Sequence, residues 1–220
     1  MSFLKKIKTG FLNVSGYLVL LLQQIPPLGV YPVLMTMPVF LYLLVLASQF
    51  PWSIPNAILE GIQMSIHMYP LETIVAVTGL ILVIYSIIYL YTHRKEGLVT
   101  TGPYRFIRHP QYAGFILLTL GLTSISYNLL KNTFGIGWLT PEATLALWFG
   151  QLAIYITLAL IEESHLTKTF DATYTKYKEN TSFLLPLKSL GYFEIPLSIT
   201  LLVGILFILT TLGAPPNFAI

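Results

Sequence analysis

The chain has 220 residues, 55% of them hydrophobic and only 10% charged, with a net charge of +3 and a mean hydropathy of +0.74. A soluble domain carries about 25% charged residues, so this is the composition of an integral membrane protein with no room for a separate soluble domain of ordinary size. The lack of cysteine excludes disulfides, thiolate metal sites and a cysteine nucleophile, and basic residues confined to short loops point to a membrane rather than to nucleic acid.

The first residues carry Lys5, Lys6 and Lys8 ahead of an apolar run, as a signal peptide does. That run ends on Gln23, Gln24, Pro26 and Pro27 without a small-residue cleavage site, and reads as mature sequence. Crossing ~30 Å of hydrocarbon takes about 20 residues, and five runs reach that length: 28–50, 71–92, 112–130, 143–161 and 192–212. A shorter run, 11–25, is a sixth candidate. Each is expected to be a helix, because a lone strand leaves its backbone unsatisfied in lipid.

Lysine and arginine placement sets the expected topology. Arg94, Lys95, Arg105 and Arg108 follow the second run, and Lys168, Lys176, Lys178 and Lys188 follow the fourth. Two crossings separate these clusters, so both fit the cytoplasmic side. The N-terminal lysines join them if five runs span and 11–25 lies in the interface or re-enters; six spans is the alternative. The loop 51–70, with Trp52, His67 and Tyr69 but no lysine or arginine, reads as a non-cytoplasmic interfacial segment. Residues 161–180 continue the fourth helix into water, with Leu166, Phe170, Tyr174 and Tyr177 at three- and four-residue spacing. They form either an amphipathic surface helix or one folded back over a site made by the basic loop. The organisation expected is N-terminal membrane helices over 1–92, a catalytic core over 93–190 and a last membrane helix over 191–220.

The chemistry is concentrated in residues 102–112, where Tyr104, Arg105, Arg108, His109, Pro110 and Tyr112 interrupt an otherwise apolar chain. Gly102-Pro103 signals a turn. His109, as the residue before proline, should be extended, and Pro110 suits the first turn of a helix. His109 is thus expected at a helix mouth, whose free N–H groups and neighbouring arginines suit a carboxylate or phosphate. The pair Glu162-Glu163 should face the same side and could hold a ribose hydroxyl or an amine. Glu162-x-x-His165 is half of a di-iron motif, but four histidines in all (His67, His93, His109, His165) do not make such a site, so no metal is expected. No Gly-rich phosphate loop or Gly-x-Ser-x-Gly elbow occurs.

Together, Gly102-Pro103-Tyr104, Arg108-His109-Pro110-x-Tyr112-x-Gly114, the acidic pair with Leu166, Phe170, Tyr174 and Tyr177, and Pro186 resemble the isoprenylcysteine carboxyl methyltransferase and phospholipid methyltransferase superfamily. The resemblance implies an all-α membrane bundle and a methyl donor, S-adenosylmethionine, bound at the cytoplasmic face. It places Leu98, Val99, Tyr104, Arg108, His109, Pro110, Tyr112 and Glu162 around the cofactor. Three positions depart from the pattern. Leu158 stands where the family carries an arginine for the substrate carboxylate. Asp171 stands where it carries glycine, and its Val-Pro pair is missing from 181–186. For a carboxylate acceptor, Arg105 is the orienting residue; for a thiol or amine, Glu163 or His109 is the base. The expected acceptor is lipophilic and enters from the bilayer: an isoprenylcysteine-type carboxylate first, then a phospholipid amine or small thiol. The rivals are an NADPH-dependent sterol-type reductase, which shares the Arg-His-Pro-x-Tyr-x-Gly element, and a non-enzymatic scaffold or permease.

Overall fold

The computed structural model describes residues 36–45, 63, 65–93, 97–132, 139–187 and 191–212, without the side chain of Tyr192. The run 11–25, most of the run 28–50, and the basic residues Lys5, Lys6, Lys8, Arg94, Lys95 and Lys188 lie outside the described residues. Within them the chain is helical: α1 (Thr36–Val45), α2 (Pro70–His93), α3 (Pro110–Asn132), α4 (Pro141–Asn180) and α5 (Glu194–Leu212), with short 3-10 turns at Gly102–Arg105 and Gly191–Phe193. Four of these helices, α2 to α5, are long and apolar enough to cross a membrane. They coincide with four of the five expected spans, and α1 falls inside the fifth.

Helix starts follow local chemistry. Proline opens α2, α3 and α4, where its missing N–H costs nothing. Thr140 caps α4, its side chain accepting from the Ala143 N–H at 3.2 Å.

The central helix is α3: 67% of its apolar stretch is buried, against 33% or less in the other three. Its buried residues mix large apolar side chains such as Phe115, Ile116 and Leu120 with small and polar ones, Gly114, Thr119, Thr123 and Asn128, and its neighbours bond to it. The Tyr42 hydroxyl of α1 lies 2.6 Å from Thr123 Oγ1, the Trp148 indole of α4 donates to the Ile116 carbonyl, and Asn128 donates to Leu209 of α5. The tightest contact is with α2. A Cβ added at Gly79 would lie 2.6 Å from the Gly114 carbonyl oxygen, and one at Gly114 would lie 2.8 Å from the Gly79 carbonyl oxygen. In lipid, where no hydrophobic drive joins helices, close backbone approach through small residues supplies the packing. The outer faces are apolar, with Ile74, Ile81, Ile88 and Phe207 exposed.

The 40 residues of α4 would run about 60 Å if straight, twice the ~30 Å hydrocarbon thickness. The helix is broken at Asp171, whose φ of 43° and ψ of −117° are non-helical. Beyond the break the chain turns back. Lys178 Nζ reaches Glu163 Oε2 at 2.6 Å across fifteen residues, a separation of about 22 Å in straight helix. Of the two readings of 161–180, the structure adopts the fold-back over the basic loop.

Candidate functional site

The site lies where the loop between α2 and α3 meets the fold-back of α4. The Tyr104 hydroxyl donates to Gln111 Oε1 at 3.0 Å, and the Tyr177 hydroxyl donates to the Tyr104 carbonyl at 2.6 Å, fastening the fold-back to the loop. Burial raises the Tyr104 phenol far above its ordinary range, with the Glu162 charge adding to the effect, so it is a neutral donor. The segment after α4 runs alongside: Arg108 N–H donates to the Ser182 carbonyl at 2.7 Å and His109 N–H to the Phe183 carbonyl at 3.3 Å. These two N–H groups, just before the helix mouth, are taken by the chain itself.

Arg108 has four of its five N–H groups committed. Its Nε donates to Glu163 Oε1 at 2.7 Å and its Nη2 to Glu194 Oε2 at 3.0 Å. Its Nη1 donates to the carbonyls of Lys178 and Thr181, and the guanidinium sits over the Phe183 ring. Glu194 Oε1 also accepts the Phe183 N–H at 3.0 Å. One arginine therefore joins the loop, both arms of α4, the 181–187 segment and the start of α5.

His109 is 1% exposed and lies between the paired glutamates. Its Nε2 is 3.4 Å from Glu163 Oε1, and its Nδ1 is 3.5 Å from Glu162 Oε2. Neither Nδ1 nor Glu162 Oε2 has a hydrogen-bond partner. Burial disfavours the charged ring, but the two carboxylates outweigh it and raise the His109 pKa above its usual value.

A cavity of about 110 Å³ opens beside this cluster, lined by Leu98, Val99, Tyr104, Arg108, Glu162, Phe170, Tyr174 and Tyr177 among others. Five residues expected around a cofactor, Leu98, Val99, Tyr104, Arg108 and Glu162, thus share one cavity. His109, Pro110 and Tyr112 are buried behind it, with the His109 and Tyr112 rings stacked at 5.6 Å. Glu163 is buried among Arg108, His109 and Lys178, and Arg105 is exposed on the loop surface. Sequence reading gave no role to Tyr174, Tyr177 or Glu194. The tyrosines were visible in the amphipathic spacing. Glu194, a lone acid at a helix start, gave no signal.

The loop that carries this geometry has a counterpart in a known family. Residues 73–151 match the model of the isoprenylcysteine carboxyl methyltransferase (ICMT) family. Neither a curated protein nor a solved structure matches the chain. The ICMT match takes in nearly all of α2, the loop with Tyr104, Arg108 and His109, α3, and the start of α4. It stops before Glu162. With four apolar helices of spanning length, it supports a membrane methyltransferase.

Proposed function

We propose that the protein is an integral membrane methyltransferase that uses S-adenosylmethionine and acts on a lipophilic acceptor, with its site at the cytoplasmic face and its catalytic core over residues 93–190. The observation that carries this reading is the charge of the site. The cluster holds two fixed cations, Arg108 and Lys178, against three carboxylates: Glu163 and Glu194, which those cations contact, and Glu162, which faces His109. With His109 neutral, the cluster is short of one positive charge, which suits a cationic donor. The donor set fits as well: Glu162 Oε2 and the Tyr174 hydroxyl are buried without partners, and the aromatic walls favour a sulfonium. Ligand pockets usually exceed about 300 Å³, so the cavity must widen for the donor to enter. When bound, the donor supplies an electrophilic methyl group, and the protein's part is to align the acceptor and exclude water.

Gln151, Tyr155 and Glu162 share one face of α4, with Gln151 and Tyr155 buried and paired with each other and Tyr155 packed on Tyr112 at 5.6 Å. The isoprenylcysteine-type carboxylate, first among the expected acceptors, finds little here: Arg108 is committed, Leu158 is apolar, and Arg105 is exposed. A phospholipid amine or small thiol needs no such cation.

Calorimetry on the purified protein tests the reading, with S-adenosylhomocysteine and NADPH as the probes. Binding of S-adenosylhomocysteine is expected. NADPH binding in its place would refute the methyltransferase and support the reductase, and binding of neither would support a non-enzymatic protein.

A further inference from the structure

We infer that Glu162 and His109 form a two-residue general base, and that the acceptor is one whose nucleophilic atom carries a proton: a thiol or an amine on an apolar body. The inference rests on the methyltransferase reading and goes beyond it. A carboxylate attacks as it stands and needs no base; a thiol or ammonium must give up a proton.

The geometry is that of a carboxylate–histidine–carboxylate chain. Glu163 Oε1 lies 3.4 Å from His109 Nε2 and is held in place by Arg108 and Lys178. It therefore fixes the tautomer with the proton on Nε2, as an orienting carboxylate does. Nδ1 then presents a lone pair to Glu162 Oε2 at 3.5 Å. These two buried atoms face each other without a hydrogen bond between them, two acceptors placed to take up one proton between them, with Tyr112 beside Glu162. Glu162 alone of the three reaches the cavity, and its side chain is 21% exposed. It is the residue that touches the acceptor; His109 acts through it.

The acceptor's lone pair forms the bond to the methyl carbon, while the methyl–sulfur bond breaks and its electron pair returns to sulfur. The acceptor's proton passes to Glu162 and on to His109 Nδ1. One positive charge is lost with the sulfonium, and the proton on His109 replaces it, so the buried cluster holds the same net charge before and after. The proton returns to water through Glu162 once the product leaves. The other groups around His109 are Arg108 and Tyr104 from the loop, Tyr112 from α3, Lys178, Tyr174 and Tyr177 from the fold-back, and Glu194 through Arg108. The tyrosines stay neutral, and the remaining charges are paired.

The full-length protein in lipid nanodiscs tests this with labelled S-adenosylmethionine and three acceptors of equal tail length: an alkyl thiol, an alkyl amine and an alkyl carboxylate. Thiol or amine should react at least about tenfold faster than carboxylate. The rate should rise with pH through a group titrating above ~6.5, and Glu162→Gln should lower turnover by about 10²–10⁴-fold. His109→Gln should abolish that limb of the pH profile, with S-adenosylhomocysteine affinity held within about threefold. Independently of turnover, NMR of ring-labelled histidines in the wild-type protein should show one ring titrating above ~6.5, its shift moved by S-adenosylhomocysteine. A preference for the carboxylate, a pH profile unchanged by His109→Gln, or no histidine titrating above that value would overturn the base while leaving the methyltransferase standing. Failure of S-adenosylhomocysteine to bind would overturn both.

Discussion

Glu194 ties the start of α5 to Arg108 and to Phe183, and replacing it by alanine tests the architecture of the site. The change removes one carboxylate from Arg108 and the acceptor of the Phe183 N–H, both buried. Removing one partner of a buried ion pair costs about 3–5 kcal/mol. Arg108 keeps Glu163, which places the loss at the lower end, near 3 kcal/mol. For a chain of this size each kcal/mol shifts Tm by about 2–4 °C, so thermal unfolding in detergent should start about 6–12 °C lower. Glu194→Gln keeps an acceptor for Phe183 and loses only the charge, so it should fall between. Arg108 also lines the cavity, so affinity for S-adenosylhomocysteine should weaken in the alanine variant. A Tm within about 2 °C of wild type, less than 1 kcal/mol on the same scale, would refute the reasoning. It would mean that Arg108 is held well enough by Glu163 and the two carbonyls.

Other perturbations probe separate parts of the molecule. Gly79→Leu forces a side chain into the backbone of α3 and should leave no folded monomer by size-exclusion chromatography, while Gly204→Leu, which has open space, should be tolerated. Asp171→Gly removes a positive-φ non-glycine residue at the α4 break; it should raise Tm by a few degrees, of the order expected for ~1 kcal/mol of relieved strain. His109 has a folded pKa above its unfolded value. Its contribution to stability is full below the unfolded value near ~6.5 and fades as pH rises through the folded one. Wild-type Tm should therefore fall over that window relative to His109→Ala, as scanning calorimetry at several pH values will show.

Much of the fold was legible because membrane spans are written in composition: long apolar runs bounded by prolines and charges gave four helices close to their observed ends. The close contact of Gly79 with Gly114 was not legible, since glycine in an apolar run gives no sign of which helix will lie against it. The site was half legible. Tyr104, Arg108 and Glu162 were singled out by residue type and motif, and they share a cavity. What the sequence could not convey was competition for Arg108. An arginine beside a helix mouth looks available to a ligand until the fold delivers Glu163, Glu194 and two carbonyls to the same guanidinium. The positive φ at Asp171 was equally hidden: the departure from the family's glycine was visible, but not the reversal of α4 that depends on that position.

The division between what matches the ICMT family and what does not bears on how acceptor choice is built. The matched stretch supplies Tyr104, Arg108 and His109, which are fixed by the loop and the start of α3. The carboxylates and the lysine that set the charge around them, Glu162, Glu163, Lys178 and Glu194, all come after residue 151. So do Leu158 and Asp171. The site is therefore composite, with a loop that receives charge and a C-terminal arm that determines how much. Changing one acid or Lys178 on that arm alters the net charge beside the cavity without disturbing the packing of α2 on α3, which rests on Gly79 and Gly114. Leu158, one turn before Glu162, adds no charge on that arm, so on the proposed reading His109 is the group that takes up the proton.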